Sequence, residues 1–382
     1  MKNISIAGST GSIGRQALEV VKDDSENFKV TAIGAKSNTD LLKAQAEIFL
    51  PDYVCLFDET LKENIEGHLP KKCKLVCGQE AIDAVSTLGD LVLNAIVGFA
   101  GLSVTLTALK SNKLLALANK ESLVAGGDVV ERIKIKSSGK IVPVDSEHSA
   151  IFQCLNSERA SSVDKLILTG SGGPFREILD IDLANITLND ALKHPTWVMG
   201  PKITIDSSTL MNKALEIIEA KYLFDISVNR IEVVIHKQSI VHSMVTFKDG
   251  ATIAQMANPT MCLPIAYALN YPERSLNAYG KIDFSFPSEL TFEPPNREIF
   301  KSLDFAYEAG SVGKNLPTVV NAANEVAVSA FLNEEIPWLT IFDTVRYCMD
   351  NCEISELVSL SDVMEVDENT RKVATDFIKA RR

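Results

Sequence analysis

Over the first 145 residues, short apolar runs alternate with longer stretches in which apolar side chains recur every three or four positions. Ile4–Ala7, Lys29–Ile33, Tyr53–Phe57, Leu91–Val97, Leu114–Leu117 and Ile141–Val144 have the length and character of buried strands. Between them Gly14–Val21, Asp40–Phe49, Gly101–Lys110 and Glu121–Ile135 suit amphipathic crossover helices. Alternation of this kind predicts an α/β fold built on a doubly wound parallel sheet, which takes its ligands at the carboxyl ends of the strands.

Beyond residue 146 the pattern changes. A glycine-rich loop at Thr169–Pro174 and an irregular stretch around His194–Pro201 precede a helix over Thr209–Tyr222. Ile231–Ile235, Ser243–Phe247 and Thr252–Met256 then read as a small sheet, giving this region an α+β character. Pro272, Pro287, Pro294 and Pro295 make 271–296 too proline-rich for a helix and predict an extended surface connector. The remainder reads as almost wholly helical, with Pro317 in the first turn of one helix. Four segments follow: an α/β domain over 1–145, an α+β domain over 146–270, a linker over 271–296 and a C-terminal α-helical domain over 297–382.

A chain of 382 residues exceeds the usual size of one core, which agrees with several domains. With 46% hydrophobic and 23% charged residues, disorder is excluded. The formal net charge of -12 argues against a broad basic surface for nucleic acid or an anionic membrane, so any bound anion must sit in a local pocket. Cysteines at 55, 73, 77, 154, 262, 348 and 352 form no C-x-x-C pair and are odd in number, which points to reduced thiols and a cytoplasmic setting. Neither an export leader nor an apolar run of membrane-spanning length is apparent, so no membrane partner is expected.

Composition leaves the chemistry to local motifs. Ile4–Ala7 runs into Gly8-Ser9-Thr10-Gly11-Ser12-Ile13-Gly14 and then an apolar helix, the context of a dinucleotide-binding turn. Its glycines let backbone amides approach a pyrophosphate at the helix N-terminus. After the second strand the residues are Lys36, Ser37 and Asn38, with no acid to accept from a ribose 2′-hydroxyl. A cation with polar donors suits the 2′-phosphate of NADP, so 1–145 is read as a Rossmann-like NADP-binding domain.

Asp145 and Glu147 follow the strand Ile141–Val144, and residues two apart on extended chain point the same way. Farther on, Asn212 and Glu216 lie one helical turn apart with Lys213 beside them. Such carboxylates also suit helix caps or solvated loops. In combination Asp145, Glu147 and Glu216 favour a hard divalent cation, magnesium or manganese, over zinc. Ser171 in the glycine-rich loop, with Ser207, Asn212 and Lys213, makes a donor set for a phosphate monoester.

Five blocks carry a family resemblance: Gly8–Gly14, Leu117–Val124, Pro143–His148, Thr169–Arg176, and Met211-Asn212-Lys213 with Glu216. In these the chain resembles the 1-deoxy-D-xylulose 5-phosphate reductoisomerases of the non-mevalonate isoprenoid pathway, over essentially its whole length. The resemblance implies that Asp145, Glu147 and Glu216 hold the divalent ion and that Ser171, Ser207, Asn212 and Lys213 bind the substrate phosphate. It further implies that Lys120, Ser146 and His194 touch a phosphorylated ketose, and that Asn119, Glu121 and Gly200 line NADPH. His194–Gly200, including Val198, looks like the family's mobile flap, with Trp197 covering the substrate. Homodimerisation through the middle domain is also implied. His148, His236 and His242 are read as structural or surface residues.

The implied reaction is a retro-aldol and aldol rearrangement followed by reduction with NADPH, Lys120 stabilising charge and Glu147 handling protons. Two other readings compete. A simple NADP-dependent sugar-phosphate dehydrogenase needs no rearrangement, and a non-catalytic NADP sensor needs neither the carboxylates nor the phosphate donors.

Overall fold

The computed structural model describes residues 1–177, 183–197, 199–277, 279–285 and 289–381. Val198 of the expected flap and Pro287 of the expected connector lie outside the described residues. The first part of the chain runs β1 (Lys2–Ala7), α1 (Ser12–Asp23), β2 (Phe28–Ala35), α2 (Thr39–Phe49), β3 (Tyr53–Leu56), β4 (Lys74–Cys77), α3 (Gly78–Thr87), β5 (Leu91–Asn94), α4 (Leu102–Lys110), β6 (Leu114–Leu117), α5 (Glu121–Lys134), β7 (Lys140–Pro143) and α6 (Ser146–Cys154). It continues with β8 (Val163–Gly170), α7 (Leu188–Ala191), α8 (Pro201–Ser208), α9 (Met211–Phe224), β9 (Ile231–Ile235), β10 (Val241–Phe247), β11 (Thr252–Met256) and α10 (Cys262–Asn270). The last helices are α11 (Ser302–Val312), α12 (Leu316–Leu332), α13 (Thr340–Asp350) and α14 (Leu360–Ala380).

These elements form two compact units, the first made of Met1–Ser122, Val130–Ser149 and Thr260–Tyr279. Its seven strands lie in the order β4-β3-β2-β1-β5-β6-β7, every pair parallel. The sheet is buried on both faces, Ile4, Ile6, Ile33, Leu91 and Leu93 on one and Ala32 and Val92 on the other, as an all-parallel sheet covered by helices requires. Each such isoleucine or leucine side chain contributes about 1.5–3 kcal/mol of burial. Strand order reverses between β1 and β5, so a crevice opens at their carboxyl ends where the loops at 8–11 and 95–101 diverge. The pair β4 and α3 was absent from the strand and helix expectations, as was α10, which packs beside α1 in this unit.

The second unit comprises Leu123–Val129, Ala150–Pro259 and Gly280–Arg382. Four strands order as β11-β10-β8-β9, with β10 antiparallel to both neighbours and β8 parallel to β9. The carboxyl end of β8 delivers Gly170 into the glycine-rich loop. Helix α9 packs beside β8 and β9, and α11 and α12 pack around α9 and α8. Pro317 does stand in the first turn of α12. The described part of 271–296 holds no helix and meets the sheet through a bridge between Ile235 and Glu293.

Candidate active site

At the end of β1 the amides of Gly8 and Ser9 both donate to the Gly34 carbonyl at 2.8 Å, and the Gly11 amide donates to the Gly8 carbonyl at 3.1 Å. Gln45 of α2 locks the turn further: its Nε2 donates to the Ser9 carbonyl and its Oε1 accepts from the Ser9 hydroxyl, both at 2.8 Å. Gly11 caps α1 without a side-chain bond, so the first-turn amides beginning at Ser12 and Ile13 face outward with the positive end of the helix behind them. This is the donor arrangement a pyrophosphate requires. Glycine is obligatory at Gly8, where φ is +87° and an added β-carbon would stand 2.5 Å from the Ala95 carbonyl oxygen. At the edge of the same crevice Lys36, Ser37 and Asn38 are exposed, and Asn38 spends its Oδ1 on the Leu41 amide at 3.1 Å as the cap of α2. Lys36 and Ser37 remain as donors for a 2′-phosphate.

Asn119 is buried, and its side chain is occupied within the first unit. Its Oδ1 accepts from the Ser122 amide at 3.0 Å and from the Ser122 hydroxyl, while Nδ2 bonds to the Ile96 and Gly98 carbonyls at 2.8 Å and to Glu121 Oε2 at 3.0 Å. Behind it Asn94 Nδ2 donates to Thr105 Oγ1 at 2.9 Å, and Thr105 donates to Ser122 Oγ at 3.0 Å. This buried chain of bonds shapes the 95–101 loop and occupies the Asn119 amide group within the protein.

Next to it Lys120 Nζ lies 2.5 Å from Asp145 Oδ2. Burial pushes the Asp145 carboxyl up, but Lys120, with His148 Nδ1 at 3.5 Å from Oδ1, outweighs it and holds the group well below the usual carboxylate range. His148, read from sequence as structural, is therefore an electrostatic partner of the site, and its i, i+3 spacing from Asp145 was the available signal. The chain is not extended here, contrary to expectation: β7 ends at Pro143 and Glu147 falls in the first turn of α6. Ser146 Oγ donates to Glu147 Oε2 at 2.5 Å.

The second unit assembles the expected phosphate donors around the glycine-rich loop. A β-carbon added at Gly170 would come within 3.1 Å of Lys213 Cε, and one at Gly173 within 2.5 Å of the Ser207 carbonyl oxygen and 3.5 Å of its Oγ. Along α9, Asn212 Nδ2 donates to Glu216 Oε1 at 2.5 Å and Lys213 Nζ pairs with Oε2. Asp206, Ser207 and Ser208 form the last turn of α8, which Pro201 opens. The cap of α9 is Leu210, in left-handed backbone with φ +55°.

His194 ties the described residues 194–197 to this loop. Its Nδ1 accepts from the Thr196 and Trp197 amides at 3.2 and 2.8 Å, so the proton of the neutral ring sits on Nε2, 3.0 Å from Ser171 Oγ. Burial, with Arg176 nearby, lowers His194 to about 4 and keeps it neutral. Ser171 Oγ also accepts from the Gly173 amide at 3.3 Å, which leaves its own proton to donate outward, the polarity an anion needs. Arg176, not singled out from sequence, steadies the loop by donating from Nη1 to the Ser171 carbonyl at 2.9 Å. The half-buried Trp197 ring lies 6.4 Å from the His242 ring. Gly200, the exposed N-cap of α8, belongs to this unit, whereas Asn119 and Glu121 belong to the first.

A parallel sheet with an amide-lined turn at its switch point, and a second unit built around an anion-ready loop, define an oxidoreductase of the dinucleotide-binding class. Residues 4–127 match the profile of 1-deoxy-D-xylulose 5-phosphate reductoisomerase, and 141–224 and 256–373 match two C-terminal domains described for that enzyme. The chain belongs to the 1-deoxy-D-xylulose 5-phosphate reductoisomerase family. It is 44% identical over 384 residues to the Lachnospira eligens enzyme of that name, covering 100% of both chains. Among solved structures, the Zymomonas mobilis reductoisomerase in complex with NADPH superposes with a TM-score of 0.93 at 36% identity, over 99% of each chain. A DOX-P reductoisomerase in complex with NADPH, fosmidomycin and magnesium does so at 0.93 and 37%, over 99% of this chain and 98% of that one.

Proposed function

We propose that this chain catalyses the NADPH-dependent rearrangement and reduction of 1-deoxy-D-xylulose 5-phosphate to 2-C-methyl-D-erythritol 4-phosphate, a step in isoprenoid precursor synthesis. The observation that carries the proposal is full-length likeness to enzymes of that name, some solved with NADPH and with magnesium.

Thr10, Ser12 and Ile13, on either side of Gly11, would offer their amides to the cofactor's pyrophosphate at the crevice of β1 and β5, while Gly11 spends its amide on the Gly8 carbonyl and Lys36 and Ser37 would meet the 2′-phosphate, with Asn38 bracing that loop. Glu121 and Gly200, with the backbone of Asn119, complete the nicotinamide end. Gly8 supports this fit, because no other residue leaves room for the turn against Ala95. Asp145, Glu147 and Glu216 hold a magnesium or manganese ion. Their fit is chemical: three carboxylates give hard oxygen donors, and the largely buried Asp145 and the buried Glu216 already draw cationic partners, Lys120 and Lys213. When bound, NADPH supplies hydride and the divalent ion supplies Lewis-acid polarisation.

The side chains do the rest. Ser171, Ser207, Asn212 and Lys213 grip the phosphate, with Ser171 oriented by His194. Lys120, already beside a carboxylate, offers positive charge to developing oxyanion character. Ser146 binds the ketose, and Glu147, bonded to the Ser146 hydroxyl, exchanges protons with a substrate hydroxyl. Trp197 closes over the substrate and excludes water. Residues 1–145 thus carry most of the cofactor site with Lys120 and Asp145, and 146–270 the phosphate site with Ser146, Glu147 and Glu216, with 271–296 as connector and 297–382 as helical support. The enzyme works in a reducing, cytoplasmic setting, a reading supported by seven unpaired cysteines, and as a homodimer, a reading that rests on the family resemblance.

NADPH oxidation with 1-deoxy-D-xylulose 5-phosphate, run with and without a chelator, tests the proposal. Chelator-sensitive turnover with a branched-chain product is expected. An unbranched reduced product would select the simple dehydrogenase, and NADPH binding without turnover the sensor.

A further inference from the structure

Two helices of the C-terminal part and the turn before a third reach the turn that carries Ser207, each through one buried hydrogen bond. Asn324 of α12 donates from Nδ2 to Asp206 Oδ1 at 2.8 Å. Trp338, just before α13, donates from Nε1 to Ser208 Oγ at 3.0 Å. Ser302, the first residue of α11, donates from its hydroxyl to the Thr209 carbonyl at 3.0 Å. The three acceptors, at 206, 208 and 209, bracket Ser207.

Trp338 is fully buried, and it contacts the other wall of the pocket as well. Its ring meets Phe175 edge-on with centroids 5.4 Å apart, and Phe175 closes the glycine-rich loop that holds Ser171. Phe342 packs edge-on against the indole at 5.0 Å and fixes it from α13. A single indole therefore fixes the turn through its N–H and the loop through its ring. The two walls leave little slack, since Gly173 has no room for a β-carbon against Ser207. The turn itself is strained, because Leu210 adopts left-handed backbone with a bulky side chain, a conformation that persists only when its surroundings over-determine it.

We infer that Trp338, with Asn324 and Ser302, is a positioning residue for the substrate phosphate, acting through Ser207 and Ser171 to set affinity for that group. The inference rests on reading Ser171, Ser207, Asn212 and Lys213 as the phosphate site.

Trp338→Phe keeps a ring but removes the N–H, and Ser208→Ala removes the same bond from its other end, together with the Ser208 hydroxyl's bond to the Ile205 carbonyl within α8 at 2.7 Å, without disturbing the aromatic packing. Steady-state kinetics with 1-deoxy-D-xylulose 5-phosphate, competitive inhibition by inorganic phosphate and thermal melting are measured for both variants, their double and Ser207→Ala. In each single variant, substrate KM and the phosphate inhibition constant rise together by about three- to tenfold, as loss of one buried bond predicts, and KM for NADPH stays within about twofold. The double variant is no worse than the worse single one, because both remove one interaction. Unchanged KM and phosphate inhibition in folded Ser208→Ala overturn the inference, as does a double variant equal to the product of the singles. Should Trp338→Phe not fold, Ser208→Ala with Ser302→Ala decides the matter. Ser207→Ala separates the two readings: no effect there defeats the phosphate site itself, whereas an effect there with none at Ser208 defeats only the positioning role.

Discussion

Thr105 illustrates what a single side chain contributes beneath a binding surface. It accepts from Asn94 and donates to Ser122, which in turn orients Asn119, and all four residues are buried. Thr105→Val keeps the shape but strands polar groups, and a cost of about 1–3 kcal/mol in urea-induced unfolding is expected, with weaker NADPH binding. An unchanged unfolding midpoint would show that the chain of bonds is idle. None of this was legible in the sequence, because the four positions meet only after β5, α4, β6 and the start of α5 come together. Asn212, Lys213 and Glu216 were legible, since helical spacing alone brings one turn's side chains together. His148 and Arg176 fall between these cases: both lie within quoted motifs, yet their importance comes from contacts to Asp145 and to the Ser171 carbonyl that depend on local folding.

Among elements, the turn from β1 to α1 makes the sharpest prediction. Gly8→Ala places a β-carbon on the Ala95 carbonyl in a backbone conformation that L-residues avoid. The variant should lose about 1–3 kcal/mol of stability and at least about tenfold in NADPH affinity, read by calorimetric titration. Tight NADPH binding by that variant would contradict the structure of the crevice. Strands β1, β2, β3, β5, β6 and β7 were readable because apolar runs at regular intervals can form little else. The pair β4 and α3 was not, since Lys74–Cys77 is a four-residue strand with a charged first position and partial burial. Helix α8 was missed where Pro201 marked its first turn, and α10 where Pro264 and the adjacent connector masked a helical run. Strand β8 carries Asp164 and Lys165 near its start, which broke the apolar run.

At the level of the molecule, two histidines set an acid limit. Burial lowers His242 to about 4 and, with Arg176 nearby, lowers His194 to about 4. Histidine in the unfolded chain titrates near 6.5. Between these values the unfolded state binds protons that the folded state refuses, so stability is flat above about pH 6.5 and falls as pH drops toward about 4. Urea midpoints measured from pH 7.5 to 4.5 should decline through that window, and His242→Gln should decline less steeply. An identical slope in the variant would remove His242 from the account. The acidic net charge, -12, adds no basic surface to compete with the local anion pocket. The central claim is that carboxylates from distant stretches of chain serve one cation. Binding of Mn2+, followed by electron paramagnetic resonance in the wild type, Glu147→Gln and Glu216→Gln, tests it most directly. The account predicts one ion per chain in the wild type, with affinity falling sharply in both variants while NADPH affinity holds; equal Mn2+ affinity in all three proteins would contradict it.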